Sequence, residues 1–205
     1  MDDYYDQLKP AIKFLEEVIK KYKKVKNVEI EIKLGRIDDG FKTGIYSDVF
    51  YDKIKDVLNG YTGWDSRKEE STVDYIKDSY RKTGNNIIYK KRLESADFKF
   101  KGTPYDFRIC VSTETPCYLK DFNPSLIRRK NRVSYIYKEC KLDLTKVEEE
   151  NSDEIVENEE FEVELIKLDS STSDLYRAHS ALLKIRDVIN ICETIEDEAQ
   201  ASKVV

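Results

Sequence analysis

Charged residues recur at every second position in one stretch of this chain after another. Glu29, Glu31 and Lys33 alternate with Val28, Ile30, Ile32 and Leu34. Lys90 and Arg92 share a phase, as do Arg108, Ser112 and Glu114, then Arg128, Lys130 and Arg132. Lys141, Asp143 and Thr145 follow, and finally Glu160, Glu162 and Glu164. A period of two puts neighbouring side chains on opposite faces of a β-strand. The intervening positions are apolar in several of these stretches (Leu142 and Leu144; Phe161, Val163 and Leu165), so something covers that face. A sheet with one solvated face would also alternate, but it would mix its signs. Here the charges sort by stretch, glutamates in two and bases in three. Carboxylates on one side of an enclosed space and Lys/Arg on the other suit a polyanion chelated to a divalent cation. Phosphate oxygens would pair with the bases and glutamates would hold the metal. Hard oxygen donors select Mg²⁺ or Mn²⁺ over zinc or copper.

Other chemistries are excluded by composition. The only histidine is His179, in the last predicted helix, so a His-rich metal site is absent and a Ser-His-Asp triad would have one candidate base. Cys110, Cys117, Cys140 and Cys192 form no C-x-x-C pair, which argues against a structural zinc. None has Arg six positions on, and no Gly is followed by Lys, so neither a cysteine-phosphatase loop nor a Walker P-loop is present. No apolar run approaches the ~20 residues that span a bilayer. Met1 is followed by Asp2 and Asp3 rather than a signal peptide, so an intracellular protein with reduced thiols is expected. The net charge of −5 argues against a general nucleic-acid coat. Residues 148–160 hold eight acids and no base, and without them −5 becomes +3. Such a run predicts a solvated, mobile loop.

A chain of 205 residues fits one domain. Helical spacing predicts an amphipathic helix from about Tyr4 to Tyr22, burying Leu8, Ile12, Leu15, Val18, Ile19 and Tyr22. A second, capped by Ser47 and ending near Gly60, turns Phe50, Ile54, Val57 and Leu58 inward. Strands are predicted over Val28–Leu34, Val73–Arg81, Ile87–Leu93, Phe107–Thr113, Arg128–Tyr137, Glu139–Val147 and Phe161–Leu168. Lys82–Asn86 reads as a hairpin turn. A last helix from about Ser173 to Ile191 buries Leu175, Leu182, Ile185 and Ile189. The fold class is mainly β (α+β): an antiparallel closed barrel with its charged faces inward and helices outside.

Glu29-Ile30-Glu31-Ile32-Lys33 is similar to the E-x-E-x-K signature of the triphosphate tunnel metalloenzymes. Arg128-Arg129-Lys130-Asn131-Arg132-Val133-Ser134-Tyr135 resembles the R-x-K-x-R-V-S-Y strand of fungal and DNA-virus RNA triphosphatases. Lys141 to Val147, Phe161 to Leu165, Lys77 to Arg81, Ile88 to Arg92 and Tyr105 to Glu114 fall in the same order. The likeness covers roughly residues 26 to 168. It implies an eight-stranded tunnel that removes the γ-phosphate of 5′-triphosphate RNA, with NTP hydrolysis as a side activity. Glu29, Glu31, Glu162 and Glu164 match metal ligands. Arg81, Lys90, Arg108, Arg128, Lys130 and Arg132 match phosphate-contacting bases, and Lys33 and Lys141 would contact phosphate or pair with the glutamates. Glu114 and Asp143 match acidic positions that orient those bases or the water. Relatives often carry three alternating glutamates on the last strand; here Ile166 takes the third place, leaving Glu160, Glu162 and Glu164 as the register.

The small size and the short hairpin after Arg81 resemble the giant-virus branch. There the module is the N-terminal part of a longer capping protein, and the implied compartments are the host cytoplasm and the virion. A guanylyltransferase domain in the same polypeptide is the implied partner, with no membrane and no DNA. Two rivals stand beside this reading. One is an inorganic triphosphatase or other small-triphosphate hydrolase of the same fold. The other is a non-catalytic polyphosphate or RNA-end binding module, which would be expected to keep the bases and lose the glutamates.

Overall fold

The computed structural model describes residues 2–45 and 48–201. Ser47, the expected cap, lies outside the described residues. Along the chain run α1 (Asp2–Tyr22), β1 (Val28–Asp38), β2 (Gly40–Thr43), α2 (Asp48–Gly60), β3 (Ser66–Lys77) and β4 (Tyr80–Thr83). Then come β5 (Asn86–Phe98), β6 (Asp106–Cys117), β7 (Leu126–Tyr137), β8 (Cys140–Glu150), β9 (Ile155–Leu165) and α3 (Asp174–Ala201). The sheet order is β2-β1-β6-β5-β4-β3-β7-β8-β9, and β1 also pairs with β9. Every pairing is antiparallel. The β1–β9 ladder closes eight strands into a barrel, leaving β2 as a flap hydrogen-bonded to the end of β1.

Outward apolar side chains form the core with the helices. Ile30, Ile32 and Leu34 of β1, Phe107, Ile109 and Val111 of β6, and Phe161, Val163 and Leu165 of β9 are all buried. Leu8, Leu15 and Ile19 of α1 and Leu182, Ile185 and Ile189 of α3 belong to the same cluster. The core therefore lies outside the barrel wall, between sheet and helices, and the interior is left to the charged phase. Leu175 and Val57 do not join this core: they are 46% and 52% exposed. Leu175 sits in the first turn of α3, where Ser173 Oγ accepts the Tyr176 amide (3.2 Å) and Arg177, not Leu175, turns inward. Among the described residues no helix is long and apolar enough to cross a membrane.

The run Val73–Arg81 is not one strand. Asp78 takes φ 52° and the chain reverses at Asp78-Ser79, so Lys77 pairs with Tyr80. A second two-residue turn at Gly84-Asn85, with Gly84 at φ 56°, joins β4 to β5. Both have the left-handed residue such hairpins require.

The acidic segment differs from expectation as well. Glu148–Glu150 complete β8 and Ile155–Glu160 begin β9, so only residues 151–154 form the connection. Like charges face each other across that ladder, as in Glu148↔Glu157. They are neutralised from β7, where Arg129 bonds Glu148 (2.8 Å) and contacts Glu150 (2.7 Å). Asn151 Oδ1 accepts the amides of Asp153 and Glu154 and shapes the turn. Replacing Asn151–Glu154 by Asn-Gly is expected to leave the melting temperature within a few degrees. Deleting residues 148–157 removes ladder partners of β7 and is expected to lower it far more; thermal melts of the two variants check this.

Candidate functional site

The register brings the charged phase together inside the barrel. Glu31 stands opposite Glu164 and Lys33 opposite Glu162 across β1–β9. Asp143 faces Glu162, and Lys141 faces Glu164, across β8–β9. These residues line a cavity of about 460 Å³ together with Glu29, Glu160, Arg81, Lys90, Arg92, Ser112, Cys110, Arg128, Lys130 and Arg132. Arg128, Lys130 and Arg132 keep only 19%, 6% and 21% of their side-chain surface, while Arg129 and Asn131 between them point to solvent.

The interior charges pair across strands. Lys33 bonds Glu162 and lies 3.1 Å from Glu31 Oε2 in an ion-pair contact. Lys90 bonds Glu29 and approaches Glu114 (3.3 Å) and Glu31 (3.5 Å). Lys141 bridges Glu164 and Asp143 (3.2 Å). Arg128 bonds Glu160 (2.7 Å), and Arg132 contacts Asp143 (3.1 Å) and Thr145 (3.2 Å). Ser134 donates to Asp143 at 2.6 Å, fixing that carboxylate.

Electrostatics sets the glutamates apart. Burial pushes Glu31 above the usual carboxylate range, and Glu162 and Glu29 add to the rise against the pull of Lys33. Burial likewise raises Glu160 and Glu164 despite Arg128 and Lys141 beside them. Burial acts upward on Glu162 too, but Lys33, Arg132 and Lys90 overcome it and bring its carboxyl to about 2. Lys130 is lowered, first by burial and then by repulsion from Arg128. Crowded carboxylates held partly against ionisation are what a divalent cation would relieve.

The donor set fits such a cation. Glu31 Oε2 is buried and makes no hydrogen bond by geometry; Lys33 Nζ, 3.1 Å away, is an ion-pair neighbour. Lys33 Nζ itself occupies the space between Glu31 and Glu162, a cation between two carboxylates. Among the described residues no three carboxylates yet converge on one point in ligating geometry, since lysines intervene. Glu29, Glu31, Glu162 and Glu164 are the oxygen donors available, and Glu160 lies in the same phase.

Two of the expected residues lie apart from the cavity lining. Arg108 makes a two-point bond with Asp97 (2.5 and 2.8 Å) and stacks over Phe41, 4.7 Å from the ring centroid. The cause is a bulge between Arg92 and Glu94 that re-phases β5 and brings Asp97 opposite Arg108. Glu114 is not in the lining either, yet it holds two residues that are, Arg81 and Lys90. Asp74 was not singled out from the sequence and is buried at the base of the basic wall. It accepts bonds from Lys130 Nζ and Thr83 Oγ1, both 2.5 Å, and lies 3.8 Å from Arg81. Its only sequence signal is a single acid between Val73 and Tyr75. All four cysteines are free thiols, and three are buried.

An anion that spreads Arg128, Lys130 and Arg132 over its own oxygens should stabilise the fold. Tripolyphosphate at a hundred times its Kd is expected to add about 2.7 kcal/mol, measured as a rise in melting temperature that a Lys130→Met variant loses in large part.

Comparison with known proteins agrees with this arrangement. The chain is 36% identical over 84 residues to the mRNA-capping enzyme subunit beta of Cryptococcus neoformans, a match covering 40% of this chain and 21% of that protein. It thus spans only about a fifth of that curated relative's length. Its fold resembles the RNA triphosphatase Pct1 of Schizosaccharomyces pombe (TM-score 0.71, 20% identity, 87% of this chain and 91% of that one). It also resembles the mimivirus capping enzyme triphosphatase (TM-score 0.59, 15% identity, 89% of this chain and 98% of that one). Both likenesses carry the closed tunnel. The family model described as mRNA capping enzyme, beta chain, matches residues 46–181, and the chain belongs to that family.

Proposed function

We propose that this protein is a metal-dependent RNA 5′-triphosphatase that cleaves the β–γ bond of 5′-triphosphate RNA, yielding 5′-diphosphate RNA and phosphate. The observation that carries this reading is the opposition of two walls across one cavity. The glutamates of β1 and β9 face the Arg128-Lys130-Arg132 row of β7, with Arg81 and Lys90 between. Phosphoryl transfer through a loose transition state asks for positioning and charge neutralisation more than covalent chemistry.

Arg128, Lys130 and Arg132, fixed by Glu160, Asp74 and Asp143, present donors to the phosphate oxygens in a site where bulk water screens poorly. Arg81 and Lys90, oriented by Glu114, reach the same anion from the neighbouring wall. Glu29, Glu31, Glu162 and Glu164 would hold Mg²⁺ or Mn²⁺, which when bound supplies Lewis-acid polarisation of the γ-phosphate. A glutamate left free of the metal, with Glu160 one candidate, orients the attacking water. Lys33 and Lys141, now paired with these carboxylates, would be free to contact phosphate if a cation took their place.

NTP hydrolysis belongs to the same reading, since the basic side chains of the cavity would meet the phosphates of a nucleotide as they meet those of an RNA end. The partner is a guanylyltransferase that caps the diphosphate end, a reading supported by the subunit name of the Cryptococcus relative. The longer, N-terminal-module arrangement of giant-virus enzymes remains part of the proposal, supported by the tunnel shared with the mimivirus domain. Phosphate release measured on 5′-triphosphate RNA, ATP, inorganic tripolyphosphate and thiamine triphosphate tests the substrate class. RNA should have the highest kcat/KM; tripolyphosphate ahead of RNA by tenfold or more would move the protein to the small-triphosphate hydrolases.

A further inference from the structure

The helices cover only part of the barrel. On the side formed by β3, β4 and β5 the outward side chains meet solvent, and the alternation there is unusual. Tyr75 and Tyr89 are 38% and 36% exposed, and a group of such rings on one face says more than any single one. They do not stand alone. Tyr89 pairs in register with Tyr80, and their rings lie 5.1 Å apart. Lys77 stands opposite Tyr80 and Lys82 opposite Tyr75, while Lys91 follows Tyr89 by two residues on the same face. Three tyrosines and three lysines thus interleave over adjacent rows of one wall.

Some exposed ammonium groups of the surface sit on carboxylates, as Lys21 does on Glu94 (2.7 Å). Lys77, Lys82 and Lys91 have no acidic partner among the described residues, and here they stand between aromatic rings. Unpaired cations among exposed aromatics make a surface for a flexible polyanion with π-faces, since bases stack on rings whatever their identity and phosphates meet the bases between. A neutral or apolar peptide would answer the rings but leave three ammonium groups without counter-charge. The wall is also continuous with the cavity. Tyr80 belongs to the cavity lining as well as to the ring pair, and Ser79 O accepts the amide of Lys90, which faces inward beside Tyr89.

We infer that the outer face of β3-β4-β5 is a docking track for single-stranded RNA, carrying the nucleotides downstream of a 5′ end held in the tunnel. The track rests on the RNA reading above and deepens it. It accounts for how an enzyme whose tunnel grips only phosphates favours an RNA over the far more abundant NTPs. Stacking and unpaired lysines act on every nucleotide after the first, and an NTP has none.

The test compares a 5′-triphosphate dinucleotide, a 5′-triphosphate RNA of about 20 nucleotides (longer than a typical single-stranded site) and ATP. The wild-type protein is expected to show KM for the long RNA about tenfold or more below that for the dinucleotide, the scale of one stacked base. Tyr75→Ala with Tyr89→Ala, and separately Lys77→Ala with Lys82→Ala and Lys91→Ala, should bring the long RNA to the dinucleotide's KM. Both should leave kcat/KM for ATP within about twofold. The lysine variant should also flatten the salt dependence of long-RNA binding, by about 2 in the log–log slope. None of these five side chains belongs to the core, and unchanged melting temperatures check that.

A KM independent of length in the wild type, or variants that weaken ATP and RNA alike, overturns the track while leaving the triphosphatase reading intact. Failure of the wild type to release phosphate from any RNA sinks that reading instead. The track is then judged by fluorescence anisotropy, where equal affinity for the dinucleotide and the long RNA overturns it. Variants that change the sedimenting mass and not the length dependence would make this wall a subunit interface, which also overturns it.

Discussion

Glu31→Gln is expected to abolish phosphate release while leaving the barrel as stable as before, or more so. Glu31 is buried at the centre of the acidic wall, and its carboxyl is raised by burial and by Glu162 and Glu29. A raised carboxyl means that folding disfavours the ionised form, so near neutral pH the charge costs stability. Gln keeps the length and the hydrogen-bonding reach and removes that cost. It also removes the negative charge through which the carboxylate would hold a divalent cation, so activity and stability should move in opposite directions. Asp at the same place keeps the charge but withdraws it by one methylene, and misplacement of ~1 Å can cost about 10²-fold. Circular dichroism melts beside phosphate-release assays read both quantities. A Glu31→Gln variant that retains near-normal turnover removes Glu31 from the metal site.

The second large effect belongs to Asp74. Its carboxylate and the Lys130 ammonium are 5% and 6% exposed, and cutting a buried pair on one side commonly costs about 3–5 kcal/mol. Asp74→Ala should therefore lower the melting temperature markedly and, by releasing Lys130, lower kcat as well. Asp74→Leu with Lys130→Met replaces the pair by packed apolar groups and is expected to recover most of the stability and none of the activity. The pH dependence follows from the same contact. Burial raises the Asp74 carboxyl, but hydrogen bonds from Lys130 and Thr83 outweigh it and hold the group below its ordinary value. Its contribution is then fully present above the unfolded value of about 4 and is lost as pH falls through the lower folded value. Acid melts of Asp74→Asn should lack that part of the wild-type loss. Equal acid sensitivity in both would show that the pair contributes nothing to the fold.

The period of two made much of this site legible, because in a closed barrel the inward phase is set by the ligand and the outward phase by the helices. Glu29, Glu31, Lys33, Lys90, Arg128, Lys130, Arg132, Lys141, Asp143, Glu162 and Glu164 were all placed on one face from spacing, and all line the cavity. Alternation fixes a face but not a height along the tunnel. Arg108 has the inward phase, yet a bulge one strand away supplies Asp97 as its partner and takes it out of the lining. The turn at Asp78-Ser79 carries no glycine to mark it. A two-residue hairpin puts Lys77 and Tyr80 opposite each other on one face, a shift of one in the period of two that is too short to stand out in the sequence. The acidic run misled because its charges are balanced by Arg128 and Arg129 on a strand some twenty residues away in sequence. Asp74 was missed because one acid in a mixed strand carries no pattern; its meaning comes from Lys130, which only the β3–β7 ladder brings to it.

The central claim is that two opposed walls and a divalent cation hydrolyse a terminal phosphate. Its most direct test is release of labelled phosphate from γ-labelled 5′-triphosphate RNA, with magnesium or manganese and with excess chelator. The account predicts release with either metal, none with chelator, and none from four variants in which Glu29, Glu31, Glu162 and Glu164 are replaced singly by Ala. Undiminished release in chelator, or from those four variants, would contradict it.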